Sequence, residues 1–152
     1  LVGDQQPVSS TRIRSAVAAG DVVLAAGMLG RSPEVEGVVE AGQKRGRDLG
    51  FPTANIAHHR LAAVPADGVY AGTATVGDRS YIAAISVGTN PTFEGARRTV
   101  EAYLLDFDGD LYGQRLRVGF TQRLRDTLVF NGVEQLVAQM KADVAHTRRI
   151  MA

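Results

Sequence analysis

The 152-residue sequence predicts a mainly β fold, a closed antiparallel barrel of short strands with a C-terminal helix and short N-terminal helices, and three observations carry that reading. From Glu34 onward the texture is one of short β-branched runs punctuated by glycine, the spacing of small all-β domains. Only one long helical pattern is present, near the C-terminus, which points to an antiparallel barrel rather than to alternating strand–helix units. A hydrophobic content of 45% over this length supports one domain with a substantial core rather than two.

Residues 1–30 read as helical. Ser9, Ser10 or Thr11 can cap a helix running through Val17 and ended by Gly20, and Asp21 can cap a second, ended by Gly27 or Gly30. The strand candidates are Glu34–Ala41, Thr53–Ala57, Asp67–Val76, Tyr81–Val87, Thr99–Phe107 and Arg115–Phe120. Gly88, Pro91 and Gly95 mark a loop between the fourth and fifth. Asp106, Asp108 and Asp110 suggest a cation loop, but the twelfth position counted from Asp106 is Arg117, where an EF-hand needs a carboxylate, so a tight turn is expected. In the last strand Leu116, Val118 and Phe120 alternate with polar residues. Asn131 can cap the final helix with Glu134 as its capping-box partner. Val133, Leu136, Val137, Met140 and Val144 then share one face, most simply the face turned to the core.

Charge and composition narrow the function classes. The formal net charge is +1, so no long-range field points to nucleic acid, and aromatics amount to only 6% with no tryptophan for base stacking. Without cysteine there are no disulfides, thiolate metal sites or cysteine nucleophiles, which is compatible with a cytoplasmic protein. No run of about 18 apolar residues suggests a membrane span. There is no GxxxxGK[ST] loop and no protein-kinase motif, so ATP binding cannot rest on either. His58, His59 and His146 form no recognisable ligand set.

Residues 46–55, GRDLGFPTAN, carry the clearest chemistry. Gly42, Gly46 and Gly50 let the backbone curl and turn its N–H groups toward an anion, and Lys44, Arg45 and Arg47 add positive charge. Pro52 holds Phe51 extended. Thr53 and Asn55, two apart, share one face of a strand and offer a hydroxyl and an amide carbonyl, neutral oxygens suited to Mg²⁺; the same residues also commonly close turns by bonding nearby backbone. Glu101 lies in an apolar row with Tyr103, Leu105 and Phe107, where burial would raise its pKa toward the range useful for proton abstraction. The opposite face, Val100, Ala102 and Leu104, is equally apolar, so pattern leaves the inward side open.

LGFPTAN (Leu49–Asn55), preceded by a basic glycine-rich loop, resembles the signature of the riboflavin kinase family, free-standing or as the C-terminal half of bifunctional FAD synthetases. SVGTNPTF (Ser86–Phe93) resembles that family's VGT-x-PTF segment, part of the mobile wall around its substrates, and VE followed by an apolar run and DLYG resembles its catalytic strand. The resemblance implies a six-stranded Greek-key barrel that transfers the γ-phosphoryl of ATP to riboflavin, giving FMN and ADP. It makes Glu101 the general base, and Thr53 and Asn55 the ligands of Mg²⁺ and the nucleotide phosphates. Gly42, Lys44, Gly46 and Gly50 would cradle those phosphates. Leu124–Asp126 and Phe130 match the family's approach to the final helix, implying flavin contacts from Arg125 and Phe130, although Thr127, Leu128 and Val129 replace the charged residues usual there. SSTRIR (Ser9–Arg14) is similar to the end of a nucleotidyltransferase half. Residues 1–30 are then the tail of an upstream adenylyltransferase domain and residues 31–152 the kinase barrel with its helix. Two other readings remain at this point: a barrel that binds flavin or nucleotide without turnover, and a nucleic-acid-binding module using the basic loop.

Overall fold

The computed structural model describes residues 7–40 and 50–152. Helices α1 (Ser10–Ala18) and α2 (Val22–Leu29) precede the strands β1 (Glu34–Glu40), β2 (Ala54–His58), β3 (Gly68–Val76), β4 (Arg79–Thr92), β5 (Gly95–Leu104) and β6 (Arg115–Arg125), and helix α3 (Val133–Met151) follows. The strands close into a barrel in the order β1-β2-β5-β4-β3-β6 with every pair antiparallel. Consecutive β3, β4 and β5 lie side by side and β6 returns to lie beside β3, which is the Greek-key arrangement.

Strand alternation fills the interior. Val35 and Val39 of β1, Val100 and Ala102 of β5, and Leu116, Val118 and Phe120 of β6 are all buried, while their neighbours in sequence point away. Tyr70 and Phe120, both fully buried, meet edge to face with centroids 5.2 Å apart. The Tyr70 hydroxyl donates to the Ala66 carbonyl at 2.5 Å, which satisfies it in the core. Beside that bond, Arg98 donates to the Pro65 carbonyl and Arg123 to that of Asp67, so three successive carbonyls entering β3 are held by side chains. Closure brings backbones very near. A Cβ on Gly72 would stand 1.8 Å from the Gly119 carbonyl oxygen, and one on Gly37 would stand 2.2 Å from that of Ala57. Next to Gly72 the pairing steps from Ala71↔Gln122 to Gly72↔Phe120, so β6 bulges at Thr121.

The N-terminal helices form as read: Ser9 accepts from the Arg12 N–H, Asp21 from the Leu24 N–H, and Gly30 ends α2 at φ 83°. Ala16, Val17, Ala25 and Met28 make a small core between them, while Val22 joins the barrel core.

Three expectations change. The stretch marked by Gly88, Pro91 and Gly95 is a hairpin, not a loop: β4 runs through Thr92, β5 starts at Gly95, and Phe93 stands fully exposed at the tip. Pro91 is tolerated because β4 leaves β3 after Val87 and, among the described residues, has no second neighbour there to lose a ladder bond. In α3 the N-cap is Gly132, without a side-chain cap, and Gln135 rather than Glu134 reaches back, accepting from the Asn131 N–H at 3.1 Å. The apolar face of α3 does not enter the core: the helix residues that are buried are Asp143 and Thr147. The 105–114 connection does turn tightly, with Asp106 at φ 59° held by both terminal nitrogens of Arg148.

Candidate functional site

The register of β5 settles which of its faces is inside. Val100, Ala102 and Leu104 point into the barrel, so Glu101 and Tyr103 lie on its outer surface. Glu101 stands opposite Asn55 on β2 and Ser86 on β4, and Thr53 precedes β2 with the same parity as Asn55. Outside this wall, the segment after β6 and the helix α3 leave a cavity of about 280 Å³. The barrel wall contributes Thr53, Ser86, Glu101 and Tyr103, the segment after β6 contributes Leu128 and Phe130, and α3 contributes Leu136, Met140 and Val144. Phe51 packs edge-on against Tyr103 at its rim, centroids 5.6 Å apart.

Burial against this cavity raises the pKa of Glu101, because removing water penalises the carboxylate more than the acid. Among the described residues it has neither a hydrogen bond nor an ion pair, unlike the cavity's buried carboxylate, Asp143. A carboxylate kept without a partner in a concave site has its oxygens free to accept a hydrogen bond or a proton from a ligand. Nearby, the Asn55 amide nitrogen faces the Glu40 carboxylate at 3.5 Å, and Arg97 pairs with that same carboxylate oxygen at 2.5 Å. Among the described residues the Asn55 carbonyl oxygen receives no donor. That oxygen and the Thr53 hydroxyl are hard neutral donors. With no cluster of three His, Cys, Asp or Glu among the described residues, the set suits a cation that shares its shell with phosphate oxygens and water rather than one caged by protein.

The far wall is tied by ions. Arg125, at the end of β6, donates from Nε to Asp143 Oδ1 at 2.9 Å and from Nη2 to Asp143 Oδ2 at 2.7 Å. Its Nη1 donates to the Asp126 carbonyl at 2.9 Å, and Gln139 adds a third bond to Asp143 at 3.0 Å.

Of the residues singled out from the sequence, Glu101, Thr53, Arg125 and Phe130 line one cavity, and Asn55, the cross-strand neighbour of Glu101, is not part of that lining. Gly50 adopts φ 88° with open space where a side chain would stand. Gly42, Lys44 and Gly46 lie outside the described residues. Sequence reasoning missed the whole α3 contribution, having turned Leu136, Met140 and Val144 toward the core. The available signal was Asp143, a carboxylate set between Met140 and Val144 on the apolar face.

Residues 29–151 match the sequence model of the riboflavin kinase family (Flavokinase). The bifunctional riboflavin kinase/FMN adenylyltransferase of Pseudomonas fluorescens is 42% identical over 146 residues, which is 95% of this chain and 47% of that protein. Its namesake in Listeria monocytogenes is 39% identical over 146 residues, 95% of this chain and 46% of that protein. The chain spans about half the length of the curated relatives it matches. A solved structure named as a macrolide-efflux protein of Streptococcus pneumoniae superposes at TM-score 0.91 and 40% identity, covering 96% of this chain and 48% of that one. The riboflavin kinase of Trypanosoma brucei superposes at TM-score 0.57 and 30% identity, covering 78% and 76%.

Proposed function

As the chain belongs to the riboflavin kinase family, we propose that it phosphorylates riboflavin, moving the γ-phosphoryl of ATP to the 5′-hydroxyl of the ribityl chain to give FMN and ADP. The observation that carries the reading at residue level is the unpaired, pKa-raised Glu101 carboxylate in a cavity shared with Thr53. Glu101 accepts the hydroxyl proton as the oxygen attacks phosphorus and ADP leaves. Thr53 and Asn55 would hold Mg²⁺, which supplies charge neutralisation on the phosphates. Gly42, Lys44, Gly46 and Gly50 cradle those phosphates, and Arg125 and Phe130 hold the flavin end. Positioning and charge stabilisation supply most of such a rate enhancement, so loss of Thr53 or Asn55 hurts at least as much as loss of the base.

The efflux name of the pneumococcal structure suggests transport instead, but the family match, the trypanosomal kinase and the cavity carboxylate all favour phosphoryl transfer. In a native protein built like the bifunctional relatives, an adenylyltransferase half would consume the FMN, and the reaction would run in the cytoplasm. The test is chromatography of riboflavin incubated with the chain, ATP and Mg²⁺, against mixtures lacking each component. FMN in the complete mixture alone supports the kinase. A folded chain that binds both ligands and makes no FMN overturns it in favour of a binding module.

A further inference from the structure

We infer that Asp143 is a positioning residue for the aromatic substrate: it fixes Arg125 so that the guanidinium offers its flat face to the cavity, and it holds α3 as the cavity's outer wall. The inference rests on reading this cavity as the riboflavin site. Asp143 is 8% exposed and is the one charged residue buried among those described. Its carboxylate takes three donors, two from Arg125 and one from Gln139. All three guanidinium nitrogens of Arg125 are engaged within the plane of the group, by Asp143 and by the Asp126 carbonyl. These bonds use three of its five N–H donors and hold the plane of the group in one orientation, so its face is presented at a fixed angle, and such a face suits a planar π system.

Stability gives a poor reason for the pair. Buried ion pairs are often no better for stability than apolar residues of like volume, so their retention points to a geometry that must be held. The geometry here is specific. Arg125 ends β6, its Nη1 bond fixes the first peptide of the segment that carries Leu128 and Phe130, and Asp143 lies one turn from Met140, two from Leu136 and beside Val144. One ion pair thus sets the strand end, the segment and the helix that form the wall opposite Glu101. Loosening it disturbs the ring side of the site and leaves the Thr53–Asn55–Glu101 side in place.

Asp143→Asn removes the charge and one acceptor at nearly constant volume. Riboflavin dissociation constants from flavin fluorescence, without nucleotide, and steady-state constants for both substrates are compared with the parent. The expected result is a rise of about tenfold or more in riboflavin Kd and KM, with kcat and the KM for ATP within about twofold and a single unfolding transition retained. Arg125→Lys should reproduce the loss, since an ammonium cannot make the fork. Riboflavin affinity unchanged in the folded Asp143→Asn chain overturns the inference, as does an equal loss in every constant, the mark of a structural role alone. If Asp143→Asn does not fold, Gln139→Ala decides: a smaller, riboflavin-only rise supports the inference and none overturns it. A parent chain that makes no FMN overturns the kinase reading, and the binding measurement still decides this one.

Discussion

Glu101 shows how one side chain sets activity and stability against each other. Its carboxyl holds a proton more tightly in the folded chain than in the unfolded one, because burial penalises its charge. Its contribution to stability is therefore full below its ordinary value of 4.5 and is lost as pH rises through the raised folded value. Glu101→Gln should raise the melting temperature at pH 7 by a few degrees, roughly the shift that 1 kcal/mol gives a domain of this size. Calorimetry should show that gain shrinking as the pH approaches 4.5. The same change should lower kcat by about 10²–10⁴-fold, the usual worth of a general base, while nucleotide affinity stays nearly constant. A collapse of nucleotide affinity would make Glu101 a ligand-binding group instead. Since the base must be ionised to accept a proton, kcat should rise with pH along a limb set by the raised pKa. That limb should vanish in Glu101→Gln. At this scale a short motif named Thr53, Asn55 and Glu101, and the fold sets Thr53 and Glu101 on one cavity with Asn55 beside Glu101. It left open which way Glu101 points, because both faces of its strand are apolar and only the register with β2 and β4 separates them.

Among the elements, strands were more legible than their ends. All six strand candidates exist, but β4 and β5 extend into a hairpin that proline and glycine disguise as a loop, since neither residue reveals that one edge of the strand has no neighbour among the described residues. Helix α3 was found and turned the wrong way. An amphipathic stripe looks the same whether it faces a packed core or a cavity, and the choice depends on how far the helix stands from the barrel, which no local pattern encodes. The strand crossings make a sharper prediction. Gly72→Ala places a methyl group against a backbone oxygen that no rotamer change can move. It should cost more than about 3 kcal/mol, read from urea midpoints. Gly50→Ala meets open space and should cost only the strain of its φ, about 1–2 kcal/mol.

For the whole molecule, closure was legible and connectivity was not: six short strands without crossover helices demand a barrel, yet their Greek-key order came from the resemblance rather than from any spacing. The first and last strands pair, so the barrel has no part that closes without the rest. The N-terminal helices are tied into it through Val22, 1% exposed within the barrel core. Removal of residues 7–30 should therefore lower stability by about 1.5–3 kcal/mol for that side chain alone, measured as a lower melting temperature with the transition still single. The alternation along β5 reaches further. Val100, Ala102 and Leu104 keep the barrel solid while Glu101 and Tyr103 between them meet the cavity, so heritable change has two separable alphabets written on the second half of one strand. Point substitution at Glu101 or Tyr103 can explore new chemistry without disturbing the interior, whereas deletion of a single residue would exchange the two sets and ruin both. Divergence of this strand should proceed by replacement, with changes of length confined to the Phe93–Glu94 tip.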